Sequence, residues 1–295
     1  MLRYSGRDFT DGDLAVIRLL IESRPDLNRN QLSMEICNRF DWRKVNGGLK
    51  DMSCRVALLG MHRAGLITLP APRCERPQQG GKIQATAATD CPESVPTIDD
   101  LKSIEVTLVK ASTKTSHLWN EFIHRYHYLG FKTLPGTQLR YFITYQGNPI
   151  AMLGFGAAAW KTMPRDNYIG WDAVTRERRL HLIVNNARFL ILPWIRRKNL
   201  ASKILSIAIK RLPQDWENHY SYRPLLLETF VDDTRFTGAT YKASNWICVG
   251  KTKGRGRFDT KKECKVPVKQ VWLFPLVKNA GVTLRTDCVP LKQPP

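Results

Sequence analysis

Apolar residues recur at helical spacing through Leu14, Ile17, Leu20 and Ile21, which predicts an amphipathic helix over residues 11–22. Residues 30–40 and 50–64 carry the same period. The turn-like Val45-Asn-Gly-Gly48 separates these two segments, and Gly65 stands where a helix end wants a left-handed residue. The apolar run at 66–70 predicts a short strand. Three helices followed by a strand is the order of a winged helix-turn-helix, whose third helix enters the DNA major groove. Lys50, Arg55 and Arg63 are then the candidate nucleic-acid contacts. The same pattern also suits a small protein-docking module.

Periodicity stops at residues 71–96, which are rich in Pro, Gly, Gln, Ala and Thr. The expected organisation is a winged-helix-like domain over 1–71, a linker over 72–97 and a larger domain over 98–295. In the larger domain, alternation at 103–109 predicts a strand and residues 117–127 a helix. Strands at 139–145 and 150–155 follow, joined at Gly147-Asn148, a hairpin signal. Next come an apolar strand at 188–194 and a helix at 199–212 that buries Leu200, Ile204, Leu205, Ala208 and Ile209. A strand at 225–231, a helix at 238–246 and strands at 246–250 and 271–275 complete the order. The expected fold class is α/β (α+β), with a mixed sheet.

Charge adds a partner class. The 295 residues carry 46 Lys+Arg and 26 Asp+Glu, a net of +20. Residues 1–100 hold 14 basic and 13 acidic side chains, which leaves 32 and 13, a net of +19, for residues 101–295. Such an excess marks a surface for a polyanion. The basic residues are spread over several segments rather than along one amphipathic helix, which favours DNA over a membrane. The seven cysteines form no CxxC pair and support neither a zinc ribbon nor a disulfide framework. The chain has no run of about 20 apolar residues and no signal-peptide pattern at its start, so a cytoplasmic location is expected.

Two basic clusters stand out. Arg196, Arg197, Lys198 and Lys203 gather at a predicted helix N-terminus, where free backbone N–H groups favour phosphate. Lys251, Lys253, Arg255 and Arg257 alternate with glycine and threonine in a cationic loop. Trp160 and Trp171 are candidate stacking faces. Glu228 and Asp232 share one strand face, so a Mg²⁺ or Mn²⁺ site is one reading. Four residues of strand span about 13 Å, so such a site needs a bulge or a third carboxylate, with Asp166 or Asp233 as the source. The other reading has Glu228 paired with an arginine and Asp232 capping the following turn. Asp166 is either a turn residue or a catalytic carboxylate on a loop. His127, three residues after His124, is the histidine better placed for chemistry.

Two resemblances rest on these segments. Residues 188–194 lead into Arg196-Arg-Lys-Asn-Leu-Ala201 and a helix, which resembles the pyrophosphate loop of Gcn5-related N-acetyltransferases. Arg196 and Ala201 match that motif, and Asn199 stands where the family has glycine. Tyr241, in Gly238-Ala-Thr-Tyr-Lys-Ala-Ser-Asn-Trp246, matches the position where that family often carries a tyrosine general acid. A second resemblance covers nearly the whole chain. Ile169-Gly-Trp171, Asn186-Ala-Arg-Phe-Leu-Ile-Leu-Pro193, Glu228-Thr-Phe-Val-Asp232, Tyr241-Lys-Ala243 and Gly254-Arg-Gly-Arg257 occur in the order found in the Druantia A family. That family occurs in an anti-phage system and in mobile-element-like genes.

The resemblance implies a DNA-related role. The expectation is therefore a DNA-binding protein that acts by strand cleavage or transposition-type phosphoryl transfer. Glu228, Asp232 and Asp166 are its acidic and metal-binding candidates, Tyr241 its nucleophile and His127 a further catalytic candidate. DNA and other defence-system or mobile-element proteins are the expected partners; no membrane partner is expected, and self-association stays open. Acetyl-CoA is disfavoured because Asn199 replaces glycine. The alternatives are an acetyl-CoA-dependent acyltransferase and a non-catalytic DNA-recognition subunit that recruits other proteins.

Overall fold

A computed structural model describes residues 2–72, 83–254 and 266–286. The chain divides into two compact units, one formed mainly by Met1–Lys82 and the other by Ile83–Lys292.

The first unit opens with a hairpin, β1 (Leu2–Tyr4) and β2 (Arg7–Phe9), followed by α1 (Asp11–Ser23), α2 (Arg29–Arg39) and α3 (Asp51–Arg63). Reciprocal capping boxes start the first two helices. Thr10 Oγ1 accepts from the Asp13 amide at 3.1 Å, while Asp13 accepts from the Thr10 amide at 2.9 Å; Asn28 and Gln31 repeat the device. Ile17, Leu32, Ile36, Leu58 and Met61 fill the core, and Phe9 of the hairpin packs edge-on against Trp42.

The strand expected at 66–70 does not form. Ile67 and Leu69 are buried, but side chains rather than a ladder satisfy this backbone. Arg18 donates to the Leu66 carbonyl at 2.9 Å, Arg29 donates to that of Pro70 at 2.7 Å, and the Leu69 amide donates to His62 Nδ1 at 3.4 Å. The unit's two paired strands therefore precede the helices, where a wing would follow them.

The second unit is built on a seven-stranded sheet. Its elements run β3 (Ile104–Leu108), α4 (Lys114–Tyr126), β4 (Gln138–Tyr145), β5 (Asn148–Ala157), α5 (Met163–Ile169), α6 (Ala173–Arg179), β6 (Ile183–Ile191), α7 (Leu200–Tyr220), β7 (Leu226–Asp232), α8 (Ala239–Ala243), β8 (Ile247–Lys251), β9 (Lys269–Pro275) and α9 (Ala280–Arg285). The strand order is β3-β4-β5-β6-β7-β9-β8. All pairs are antiparallel except β6 with β7.

Trp119 and Phe122 of α4 and Leu200, Ile204, Leu205 and Trp216 of α7 join the main core with the central strands. A smaller cluster lies among Ile169 of α5, Leu284 of α9, and Val271 and Leu273 of β9. Of the segment expected as a linker, residues 83–97 belong to this second unit. Thr86 and Thr89 donate to the Glu121 carboxylate of α4, and Asp90 pairs with Arg125 at 2.6 Å.

Candidate active site

The parallel pair at the centre of the sheet is short. Ile183, Val184 and Asn185 of β6 pair with Leu226, Leu227 and Glu228 of β7, and the ladder then stops. A bulge accounts for the parting. On the other side of β6, Gly154 pairs with Arg188 but Phe155 pairs with Asn186, so Ala187 is an extra residue in the strand. Such a residue bends its strand and increases the local twist. Beyond Asn185, no described strand pairs with β6 on the β7 side. The fork opens into a pocket of about 750 Å³, walled by β6, β7, the start of α7, α8 and the segment after α4.

Asn186 organises the fork. Its side chain is 4% exposed. Its amide nitrogen donates to the Gly154 and Arg188 carbonyls at 3.3 and 3.2 Å, across the bulge. Its Oδ1 accepts from the Tyr241 hydroxyl at 2.8 Å, and its backbone carbonyl accepts from Thr229 Oγ1 at 3.0 Å. Burial pushes the Tyr241 hydroxyl up to about 12, so it keeps its proton at neutral pH. Tyr241 is held in place by Gly238, which caps α8 at φ 76°. A Cβ there would lie 2.6 Å from the Trp272 ring, so no larger residue fits without a shift. Next to Asn186, the Oδ1 of Asn185 is buried and unpartnered, and Asn185 also lines the pocket.

Ala201 of α7's first turn lines the same pocket. Asn199 precedes the helix with φ 62° and ψ 5°, and no side chain caps the first turn. The left-handed conformation that glycine would take is thus adopted by asparagine, which tolerates it better than most residues. Arg196, Arg197 and Lys198 are exposed beside this terminus and Lys203 is half-buried. None of the four is in an ion pair among the described residues, and Arg197 donates only to the Asp99 carbonyl at 3.4 Å.

The opposite wall comes from the end of α4. His127 stacks on Tyr128, and Tyr128 meets Phe236 edge-on and Arg235 face-on. The Leu129 amide donates to His127 Nδ1 at 3.2 Å. Burial, reinforced by the Arg188 charge, lowers His127 to about 4, so its ring is neutral at pH 7.

The expected carboxylates are engaged elsewhere. Glu228 is fully buried and accepts from Arg165 at 2.8 Å and from the Ala159 amide at 2.7 Å. Burial pushes its carboxyl above the ordinary range, against the pull of Arg165. Asp166 accepts from the same guanidinium at 2.8 and 3.0 Å and from Trp171 Nε1 at 3.0 Å. Glu228 and Asp166 therefore meet, but around a buried arginine rather than a cation. Asp232 caps the next turn, accepting from the Thr234 amide and hydroxyl at 3.1 and 2.7 Å. No three His, Cys, Asp or Glu side chains among the described residues are gathered as a metal site requires. The Mg²⁺ or Mn²⁺ expectation is corrected accordingly.

Of the nucleic-acid candidates, Lys251 pairs with Asp233, Lys253 is exposed, and Arg255 and Arg257 lie outside the described residues. Arg55 pairs with Asp51 at 3.2 Å, Lys50 stands at the N-cap of α3, and Arg63 is exposed at its end. At 100° per residue, Lys50 and Arg55 are about 140° apart around the helix, so the three do not form one stripe. Trp160 is exposed under Arg176. Asn185, Asn186 and Arg188 escaped the sequence reading; their signal is three polar residues inside an otherwise apolar strand.

The family model for Druantia protein DruA matches residues 73–263. No curated protein matches the chain in sequence. Among solved structures, the chain is similar to the ribosomal-protein-S18-alanine N-acetyltransferase from Escherichia coli, at 10% identity over 59% of this chain and 95% of that one, TM-score 0.39. It is similar to a GNAT family acetyltransferase from Elizabethkingia anophelis with acetyl-CoA bound, at 8% identity over 59% and 98%, TM-score 0.36. It is also similar to a Drosophila melanogaster polyamine N-acetyltransferase, at 8% identity over 58% and 100%, TM-score 0.37. The expectation of DNA cleavage or strand transfer does not stand. Its carboxylates hold Arg165 and a turn, and its tyrosine is bonded into the fork. The objection to acetyl-CoA falls with the left-handed Asn199.

Proposed function

This chain belongs to the Druantia protein DruA family, and we propose that its second unit is an acyltransferase that takes its acyl group from a coenzyme A thioester. The fork between β6 and β7 carries this reading. An extended chain with amide groups can add to the unpaired side of β6 as a strand would, and the unpartnered Asn185 Oδ1 can accept an N–H from it. At the far end of β6, the uncapped first turn of α7 with Arg196, Lys198 and Lys203 suits a pyrophosphate. The residues thus fit coenzyme A, with its pantetheine arm in the fork and its diphosphate at α7. Bound there, the thioester supplies an activated acyl group.

The remaining work falls to the chain itself. Tyr241 is protonated at neutral pH, so it can serve as a proton donor and not as a base. Asn186 fixes the direction of that O–H bond, and Leu129, Leu134 and Phe236 give the lining an apolar side.

Calorimetric titration of the full chain with coenzyme A tests the reading. Saturable binding is expected, weakened roughly tenfold or more in an Arg196→Ala/Lys198→Ala variant by loss of charge-assisted hydrogen bonds. Tyr241→Phe should bind with unchanged affinity. Absence of binding by the intact chain sinks the proposal.

A further inference from the structure

Where this fold buries a guanidinium for structural reasons, it supplies acceptors. Arg165 is fully buried and donates to Glu228, Asp166 and the Ala159 carbonyl. Arg140 donates to Asn120 and Ser116 at 2.7 and 2.9 Å. Arg188 is different. It lines the pocket at 9% exposure, and its Nε has no partner. Its one hydrogen bond goes from Nη1 to the carbonyl of its own neighbour, Ala187, at 2.7 Å. No carboxylate among the described residues pairs with it. The pocket's other cations share one: Arg235 lies 3.9 Å from Asp232, and Lys269 stands opposite Asp232 in the β7–β9 register. The uncompensated charge in the pocket is therefore that of Arg188, and a buried charge without a partner is costly.

His127 stands beside it as a neutral donor. Its Nδ1 accepts from Leu129, so in the neutral ring the proton sits on Nε2. The charge of Arg188 helps to keep that ring neutral.

We infer that the acyl acceptor carries an oxyanion, a phosphate or a carboxylate, and that Arg188 binds it on the α4 side of the pocket. The word acceptor rests on the acyltransferase reading; the anion site rests on Arg188 alone. Arg188 stands on β6, whereas the proposed diphosphate site draws on Arg196, Lys198 and Lys203 around the start of α7, so the two anions call on different side chains. A guanidinium fork with a free Nε suits either oxyanion.

The test titrates the full chain with orthophosphate and, in a second arm, with acetate, while coenzyme A saturates the α7 site. Saturable binding of either anion is expected, weakened at least roughly tenfold by Arg188→Met and largely kept by Arg188→Lys. Phosphate alone points to a phosphorylated acceptor, and acetate alone to a carboxylate. Binding that Arg188→Met leaves unchanged overturns the inference, as does binding of neither anion by the intact chain. Should Arg188→Met fail to fold, the His127 ring resonances of the unaltered protein decide. They should move when phosphate or acetate is added, and resonances that stay still with both anions overturn the inference. If coenzyme A does not bind at all, the acyltransferase reading fails. The same titrations in the Arg196→Ala/Lys198→Ala background then still report on Arg188.

Discussion

Two arginines with the same chemistry have opposite surroundings in this protein. Arg165 is enclosed with Glu228 and Asp166, so its role is to hold the segment before α5 against β7. Removing one partner from a buried ion pair leaves the others charged and unsatisfied. Arg165→Met should therefore lower the stability of the second unit by about 3–5 kcal/mol, read from urea unfolding. Glu228→Gln should cost less, because the amide oxygen still accepts from the Ala159 amide. If Arg165→Met leaves the unfolding midpoint in place, the triad is not structural. From the sequence, Glu228 and Asp232 were legible as one strand face and Asp166 as a loop acid. An arginine partner for Glu228 was one reading, but that it is Arg165, shared with Asp166, was not legible, because Arg165 sits in a short helix without an apolar period and only tertiary contact shows that it is buried.

Elements with a clear period were read nearly to the residue. α1, α2, α3 and α4, the β4–β5 hairpin, β7 and β9 all lie within a few positions of expectation. β6 starts five residues earlier than the apolar run at 188–194, because the strand extends back through Asn185 and Asn186, which the structure uses at the fork. α7 continues through Pro213 to Tyr220, held past the proline by the fully buried Trp216. The helix expected at 199–212 thus stops one residue short of a proline that a helix interior tolerates poorly, and here packing carries it past. The short α5, α6 and α9 left no pattern. The loop before α7 has its own test. Asn199→Gly should be neutral or mildly stabilising, whereas Asn199→Val should cost about 1–2 kcal/mol, the penalty for a left-handed residue with a bulky Cβ. Equal melting temperatures for the two variants would remove the conformational argument.

At the scale of the whole molecule, the net charge of +20 marks the chain as one that takes an anionic partner. Much of the basic excess that the structure describes has local company, as at Lys251 and Arg55. Arg196, Arg197, Lys198 and Lys203, none of them in an ion pair among the described residues, lie together at the N-terminus of α7. Exposed charges are screened within about 10 Å at 0.1 M salt, whereas buried ones are not. Coenzyme A affinity should therefore fall steadily as sodium chloride is raised, while orthophosphate binding at Arg188 should change much less. Parallel titrations at two salt concentrations check this, and equal salt slopes would refute the division into an exposed and an enclosed anion site. None of the described helices is long and apolar enough to cross a membrane.

The single supernumerary residue in β6 has a hereditary consequence. Deleting Ala187 would bring Asn186 and Arg188 into ordinary succession opposite Phe155 and Gly154, with every side chain on its present face, and would take away the bend that parts β6 from β7. The cavity is thus stored in the gene as one codon. A three-nucleotide deletion there would erase it outright, while substitutions along the strand could only reshape it.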